Sequence, residues 1–138
     1  MNALIDTNVI LDDLLNREPR RADAGKIMGL VTGKKIFGYI AANTLTDIYY
    51  LIEKHHNKTF ARKAVKMMLN TLQVIAVDGA DCRSAIDSLM DDFEDALVMV
   101  CADKAALDYI LTNDRGFLGD SNLLVPAISP ADFLVKFK

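Results

Sequence analysis

The sequence predicts an α/β protein with a mostly parallel sheet of roughly five strands covered by helices on both faces. Short apolar runs at 3–5, 36–41, 72–77, 108–112 and 123–125 alternate with stretches of helical periodicity along the whole chain. The first run is continuously apolar, as a strand buried on both faces is, and stops at a carboxylate. No repeat, low-complexity tract or linker interrupts the pattern, so the 138 residues are expected to form one domain, 1–138. A chain of this length buries roughly 70% of its unfolded surface without staples.

The order of elements follows from local signals. After Ala3-Leu4-Ile5, the residues Val9, Ile10, Leu11, Leu14 and Leu15 mark a short amphipathic helix, and Pro19 disfavours helix at Glu18. Residues 20–32 are helical by spacing and stop at Gly33. Asn43 or Thr44 is expected to cap the helix after the second strand, in which Leu45, Ile48, Tyr49, Leu51 and Ile52 recur at helical intervals. Residues 58–71 form another helix, with Lys58, Arg62, Lys63 and Lys66 on its polar face. A helix is expected over 80–90, and Asp91 to Asp95 open a strongly apolar one over 96–106. Ser129-Pro130-Ala131-Asp132 reads as the capped start of a terminal helix.

Composition narrows the class. Hydrophobic residues make up 51% and charged residues 25%, and no apolar run approaches the length of a membrane span. The first five residues are too short for the apolar part of a signal peptide. Cys82 and Cys101 lie in apolar helical contexts and read as reduced core residues of a cytoplasmic protein. A net charge of −3 disfavours a generic nucleic-acid coat, though not an enzyme whose acids gather in one cleft.

The chemistry lies in the acids. Asp6 and Asp114 follow strands that point the same way, so both belong on the carboxyl edge of the sheet, where open α/β folds hold ligands. Asp47 falls near the start of the helix after the second strand, and Asp92 and Asp95 at the start of the helix after 90. Acids at helix starts are common for a simpler reason, because the dipole and free N–H groups favour them. Thr44 and Asp47 have capping-box spacing, and Asp92 can be a plain cap with Asp95 at the third position. Convergence separates the two readings. Carboxylates gathered within ~4–6 Å repel, and a divalent cation relieves them. Oxygen donors suit Mg2+ or Mn2+, which activate water and stabilise charge developing on a phosphoryl group.

Four segments together resemble the PIN-domain ribonucleases: Leu4-Ile5-Asp6-Thr7-Asn8, Thr44-Leu45-Thr46-Asp47-Ile48, Asp95-Ala96-Leu97 leading to Ala102, and Leu111-Thr112-Asn113-Asp114-Arg115-Gly116-Phe117. They occur in family order. The resemblance implies a three-layer α/β/α sandwich and an endoribonuclease dependent on Mg2+ or Mn2+. It further implies an RNA substrate, a homodimer, and a VapC-type toxin paired with an antitoxin. By motif, Asp6, Asp47, Asp95 and Asp114 take the metal-binding and catalytic acid positions. Asn8, Thr112 and Asn113 support them, and Asp92 and Glu94 either add to the site as further supporting acids or lie at its rim. The chain departs from the family in two places. Asp47 stands where Glu is frequent, and Gly116 where many members carry another Asp. These departures leave open a non-catalytic PIN-like module that binds RNA or protein.

Other features carry less. Gly29 to Lys35 is one residue short of a P-loop and precedes a strand. Asp6-Thr7-Asn8 lacks the second aspartate of an aspartate-nucleophile phosphatase. His55 and His56 point about 100° apart on a helix, too divergent to share a metal. Tyr49, Tyr50, Met67 and Met68 read as packing. The basic face over 58–66 reads as a solvated surface, with Arg17, Arg20 and Arg21 an equally credible contact for RNA.

Overall fold

A computed structural model describes residues 1–137. Its strands are β1 (Asn2–Ile5), β2 (Phe37–Ala41), β3 (Gln73–Ile75), β4 (Tyr109–Leu111) and β5 (Ala127–Ile128). All pair in parallel, in the order β3-β2-β1-β4-β5. The chain therefore builds outward from β1 to one edge, returns, and builds outward again on the other side. The reversal between β1 and β4 opens a crevice at their carboxyl ends, the position where such sheets accept ligands.

Among the described residues eight helices cover the sheet: α1 (Thr7–Leu14), α2 (Arg21–Thr32), α3 (Ala42–His55), α4 (Lys58–Thr71), α5 (Gly79–Ile86), α6 (Phe93–Lys104), α7 (Arg115–Leu118) and α8 (Pro130–Lys136). Side chains alternate between the two faces of the strands. Ala3, Ile5, Ile40 and Leu111 pack with α1 to α4 and α8 through Ile10, Ile27, Ile48, Met68 and Phe133. Leu4, Ala41 and Ile110 face the other way, onto Ala85, Ala96, Cys101 and Phe117 of α5, α6 and α7. The result is the expected α/β/α sandwich. Cys82 and Cys101 are both free thiols. No helix among the described residues is long and apolar enough to cross a membrane.

Several expectations are corrected. The fifth strand is not 123–125 but Ala127–Ile128. Leu124 is 68% exposed and Pro126 has no N–H, so pairing starts where the Pro126 carbonyl accepts the Ile110 N–H at 2.9 Å. The third strand shortens to three residues, and the helix expected over 80–90 ends at Ile86. Asp78 and Asp81 form a reciprocal capping box that starts α5. Neither Asn43 nor Thr44 caps α3; the N-cap is Ala41, with no side-chain bond. The Thr44–Asp47 box consequently does not form, and Asp47 lies in the second turn. The short α7 was not foreseen, because four residues are too few for any periodic signal.

Candidate active site

Asp6 leaves β1 at the reversal point and caps α1. One carboxylate oxygen, Oδ1, accepts the Thr7 N–H at 2.8 Å. The other, Oδ2, accepts the Thr112 hydroxyl at 2.8 Å and the Asn8 amide at 3.0 Å. Pairing of Ile5 with Leu111 in the β1–β4 ladder sets Asp6 beside Thr112. The fully buried Thr112 hydroxyl also accepts from Asn8 Nδ2 and from the Asp114 N–H, each at 3.1 Å. Asn8 Oδ1 accepts the Asn113 N–H at 2.9 Å, which ties the loop after β4 to the start of α1. Asp114 caps α7 through Oδ1, which accepts the Gly116 N–H at 2.9 Å. A Cβ on Gly116 would sit 3.3 Å from that same oxygen.

The remaining acids arrive from two helices. Asp95 is in the first turn of α6, its N–H donated to Asp92 Oδ1 at 2.9 Å. Asp47 reaches in from α3, half-buried. Asp6, Asn8, Asp47, Asp95 and Asp114 all line one open cleft of about 450 Å³, joined by Glu94, Arg17, Tyr50, Leu11, Leu51 and Asn43. Thr112, Asn113 and Asp92 lie outside the cleft wall. The first two hold Asp6 and Asn8 from behind, and Asp92 serves as the cap of α6.

The electrostatics of the cleft are unfavourable as it stands. Burial pushes the Asp6 carboxyl above its ordinary range; hydrogen bonds from Thr112, Thr7 and Asn8 pull it down, and Asp114 adds repulsion. Asp95 is driven up to about 7, first by burial and then by the charges of Asp92, Asp114, Asp6 and Glu94. Glu94 is raised as well, by burial and then by Asp47, Asp92 and Asp6. Among the described residues, ion pairs link Arg17 to Asp12, Arg21 to Glu18 and Lys104 to Asp81, and none engages an acid of the cleft.

These donors fit a hard divalent cation. All are carboxylate or amide oxygens, their mutual repulsion is uncompensated, and Asn43 Oδ1 is buried at the cleft with no partner among the described residues. No three His, Cys, Asp or Glu side chains among those residues close into a ready-made ligand shell. Mg2+ asks for less, since one or two carboxylates with several waters suffice.

Two contributors escaped sequence reading. Asp12 is buried, 3.9 Å from the Arg17 guanidinium and 3.4 Å from the Asn113 amide. Burial raises its carboxyl, opposed by Arg17, Arg20 and Asn113. A signal existed, because Asp12 falls one turn after Asn8 and inside an apolar run. Tyr50, read as packing, is exposed and lines the cleft; it too stands one turn from an acid, Asp47.

Comparison with known proteins agrees with this architecture. The family model described as PIN domain matches residues 2–116. Ribonuclease VapC1 of Aquifex aeolicus (strain VF5) is 28% identical over 118 residues, covering 82% of this chain and 81% of that protein. The Mycobacterium tuberculosis VapC20 structure, a Sarcin-Ricin loop cleaving toxin, superposes with a TM-score of 0.70 at 17% identity, over 90% of this chain and 98% of that one. VapBC2 from Rickettsia felis, bound to a DNA fragment from their promoter, gives 0.68 at 16% identity, over 92% and 98%.

Proposed function

The chain belongs to the PIN domain family, and on that premise we propose that it is an endoribonuclease dependent on Mg2+ or Mn2+, acting as a single domain over 1–138. One observation carries the reading. Carboxylates from four separate segments share a cleft with no paired cation, and Asp95 is pushed up to about 7, first by burial and then by the charges of its acidic neighbours.

Asp6, Asp95 and Asp114 would hold the ion, with Asp47 completing the site and orienting the attacking water. A divalent ion held there lowers the pKa of water and neutralises charge on the scissile phosphate. The chain's own contribution is orientation. Thr112 and Asn8 fix Asp6 Oδ2 with two bonds, so the carboxylate cannot rotate away from the crevice. The Thr7 N–H and the dipole of α1 favour its charged form. Asp95 must give up its proton for the site to act, so activity rises with pH through about 7 when the ion is scarce.

Incubation of labelled RNA with the wild type in Mg2+, in EDTA, and with Asp6→Asn in Mg2+ tests the reading. Cleavage is expected in the first case alone, and equal cleavage in all three refutes it. The spacing of the acids, which forms no closed ligand shell, favours one rival: a PIN-like module that binds without turnover. Binding of RNA without cleavage in Mg2+ and in Mn2+ would select that rival.

The likeness to VapC20, a Sarcin-Ricin loop cleaving toxin, supports a toxin role, and with it we propose an antitoxin partner and a cytoplasmic homodimer. Expression that arrests growth unless a neighbouring small gene is co-expressed would bear this out.

A further inference from the structure

The lining of the cleft mixes two kinds of chemistry: carboxylates, and beside them Leu11, Tyr50, Leu51 and the Arg17 guanidinium. Tyr50 stands three residues after Asp47 on α3 and Leu51 four, so all three share one face of that helix. Tyr50 is 64% exposed, and no ring or cation among the described residues stacks on it. Among the described residues Arg17 is the one cationic side chain in the cleft lining, and it is paired with the buried Asp12 at 3.9 Å.

An apolar wall, a free aromatic face and a guanidinium, adjoining acids suited to a phosphodiester, match the parts of a nucleotide. We propose that Tyr50 is a stacking platform for an unpaired nucleobase next to the scissile phosphate, with Arg17 on a neighbouring phosphate. This deepens the nuclease reading and rests on it. Stacking on such a platform requires a base with an open face. Bases within a duplex have both faces covered by their neighbours and must first be extruded.

The chain contains no tryptophan, so Tyr50→Trp places a single reporter at the platform. In an Asp6→Asn background, this variant is titrated with a 12-nucleotide single-stranded RNA, with its duplex, and with an abasic ribose-phosphate chain of equal length. The single strand is expected to quench the emission, and the abasic chain to leave it unchanged. In the same background, Tyr50→Ala should weaken binding of the single strand roughly 5- to 150-fold, while Tyr50→Phe, which keeps the ring, binds as the parent does. The duplex should bind weakly whichever residue is present.

Equal affinity for Tyr50→Ala and its parent, an equal loss on the abasic chain, or a silent tryptophan overturns the proposal. Absence of any RNA binding overturns it too. Failure of the nuclease reading looks different. Wild-type chain that does not cleave in Mg2+, yet binds single strands in a base-dependent way, loses the enzyme and keeps the platform.

Discussion

Replacing Asp95 by asparagine should make the metal-free protein more stable while removing its activity, and the gain should depend on pH in a defined way. In the folded chain this carboxyl is pushed from 3.8 to about 7 by burial and by Asp92, Asp114, Asp6 and Glu94. It therefore binds a proton more tightly folded than unfolded. Below its unfolded value the group costs nothing. As pH climbs from about 4 to about 7, ionisation in the unfolded state erodes stability, and above that window the cost is fully present. A shift of this size corresponds to about 4 kcal/mol for a fully buried group. Asp95 is only half-buried, so solvent screening reduces the cost to about 1–2 kcal/mol. Asparagine abolishes the charge and leaves the backbone bond from its N–H to Asp92 Oδ1 intact. For a chain of this length the melting temperature should rise about 3–8 °C at pH 8 and hardly at all at pH 4. Thermal melts followed by circular dichroism, in EDTA at pH 4, 6 and 8, measure it. Mg2+ at a hundredfold excess over its Kd should raise the wild type by ~2.7 kcal/mol and Asp95→Asn by less. An unchanged or lower melting temperature at pH 8, or a gain that ignores pH, would refute the claim that these acids meet under strain.

Two further outcomes follow from other parts of the fold. Thr112→Val removes a buried hydroxyl bonded to Asp6, Asn8 and the Asp114 N–H; urea melts should show a loss of about 1–3 kcal/mol, RNA cleavage should fall about 10–100-fold, and Thr112→Ser should restore both. Gly38→Ala puts a Cβ 2.6 Å from Leu72 Cδ2 and 3.1 Å from both Val31 methyls, costing about 1–3 kcal/mol, whereas Gly29→Ala, an exposed helix site with nothing within 4 Å, should gain about 0.5–1 kcal/mol.

How far the fold could be read from the chain depended on whether an element carries its own periodicity. α2, α3 and α4 did, because burial on one face imposes a repeat, while β1, β2 and α6 were legible as apolar runs bounded by polar residues. β5 did not. It has two residues, half-buried at the sheet edge, and the neighbouring 123–125 run outweighed it in hydrophobicity while leaving Leu124 in solvent. α7 is a single turn specified by the Asp114 cap rather than by pattern. Within the cleft, acids at strand ends and helix starts were visible because topology alone sends them to one edge. Tyr50 was not, because an aromatic beside Tyr49 in an amphipathic helix looks like core until its exposure is known.

The hardest question posed by the chain was whether each acid is a cap or part of a site, and the hydrogen bonds dissolve it. A cap occupies one carboxylate oxygen. Asp6 caps α1 through Oδ1 and is gripped by Thr112 and Asn8 through Oδ2. Asp114 caps α7 through Oδ1 while still lining the cleft. Capping fixes the plane of the group and lends it the positive end of a helix, which is the preparation a carboxylate needs if it is to stay ionised among like charges. Asp47, which caps nothing, must instead be positioned by the packing of α3 alone. On this argument the two roles are coupled. Asn in place of Asp6 keeps the α1 cap, since its carbonyl still accepts the Thr7 N–H, and removes the charge. Asp6→Ala removes both. The difference in stability between these two variants therefore contains the cap, about 0.5–2 kcal/mol, reduced by the donor-against-donor contact that the new amide nitrogen makes with the Asn8 amide at the Oδ2 position, while the activity that both lose follows the charge.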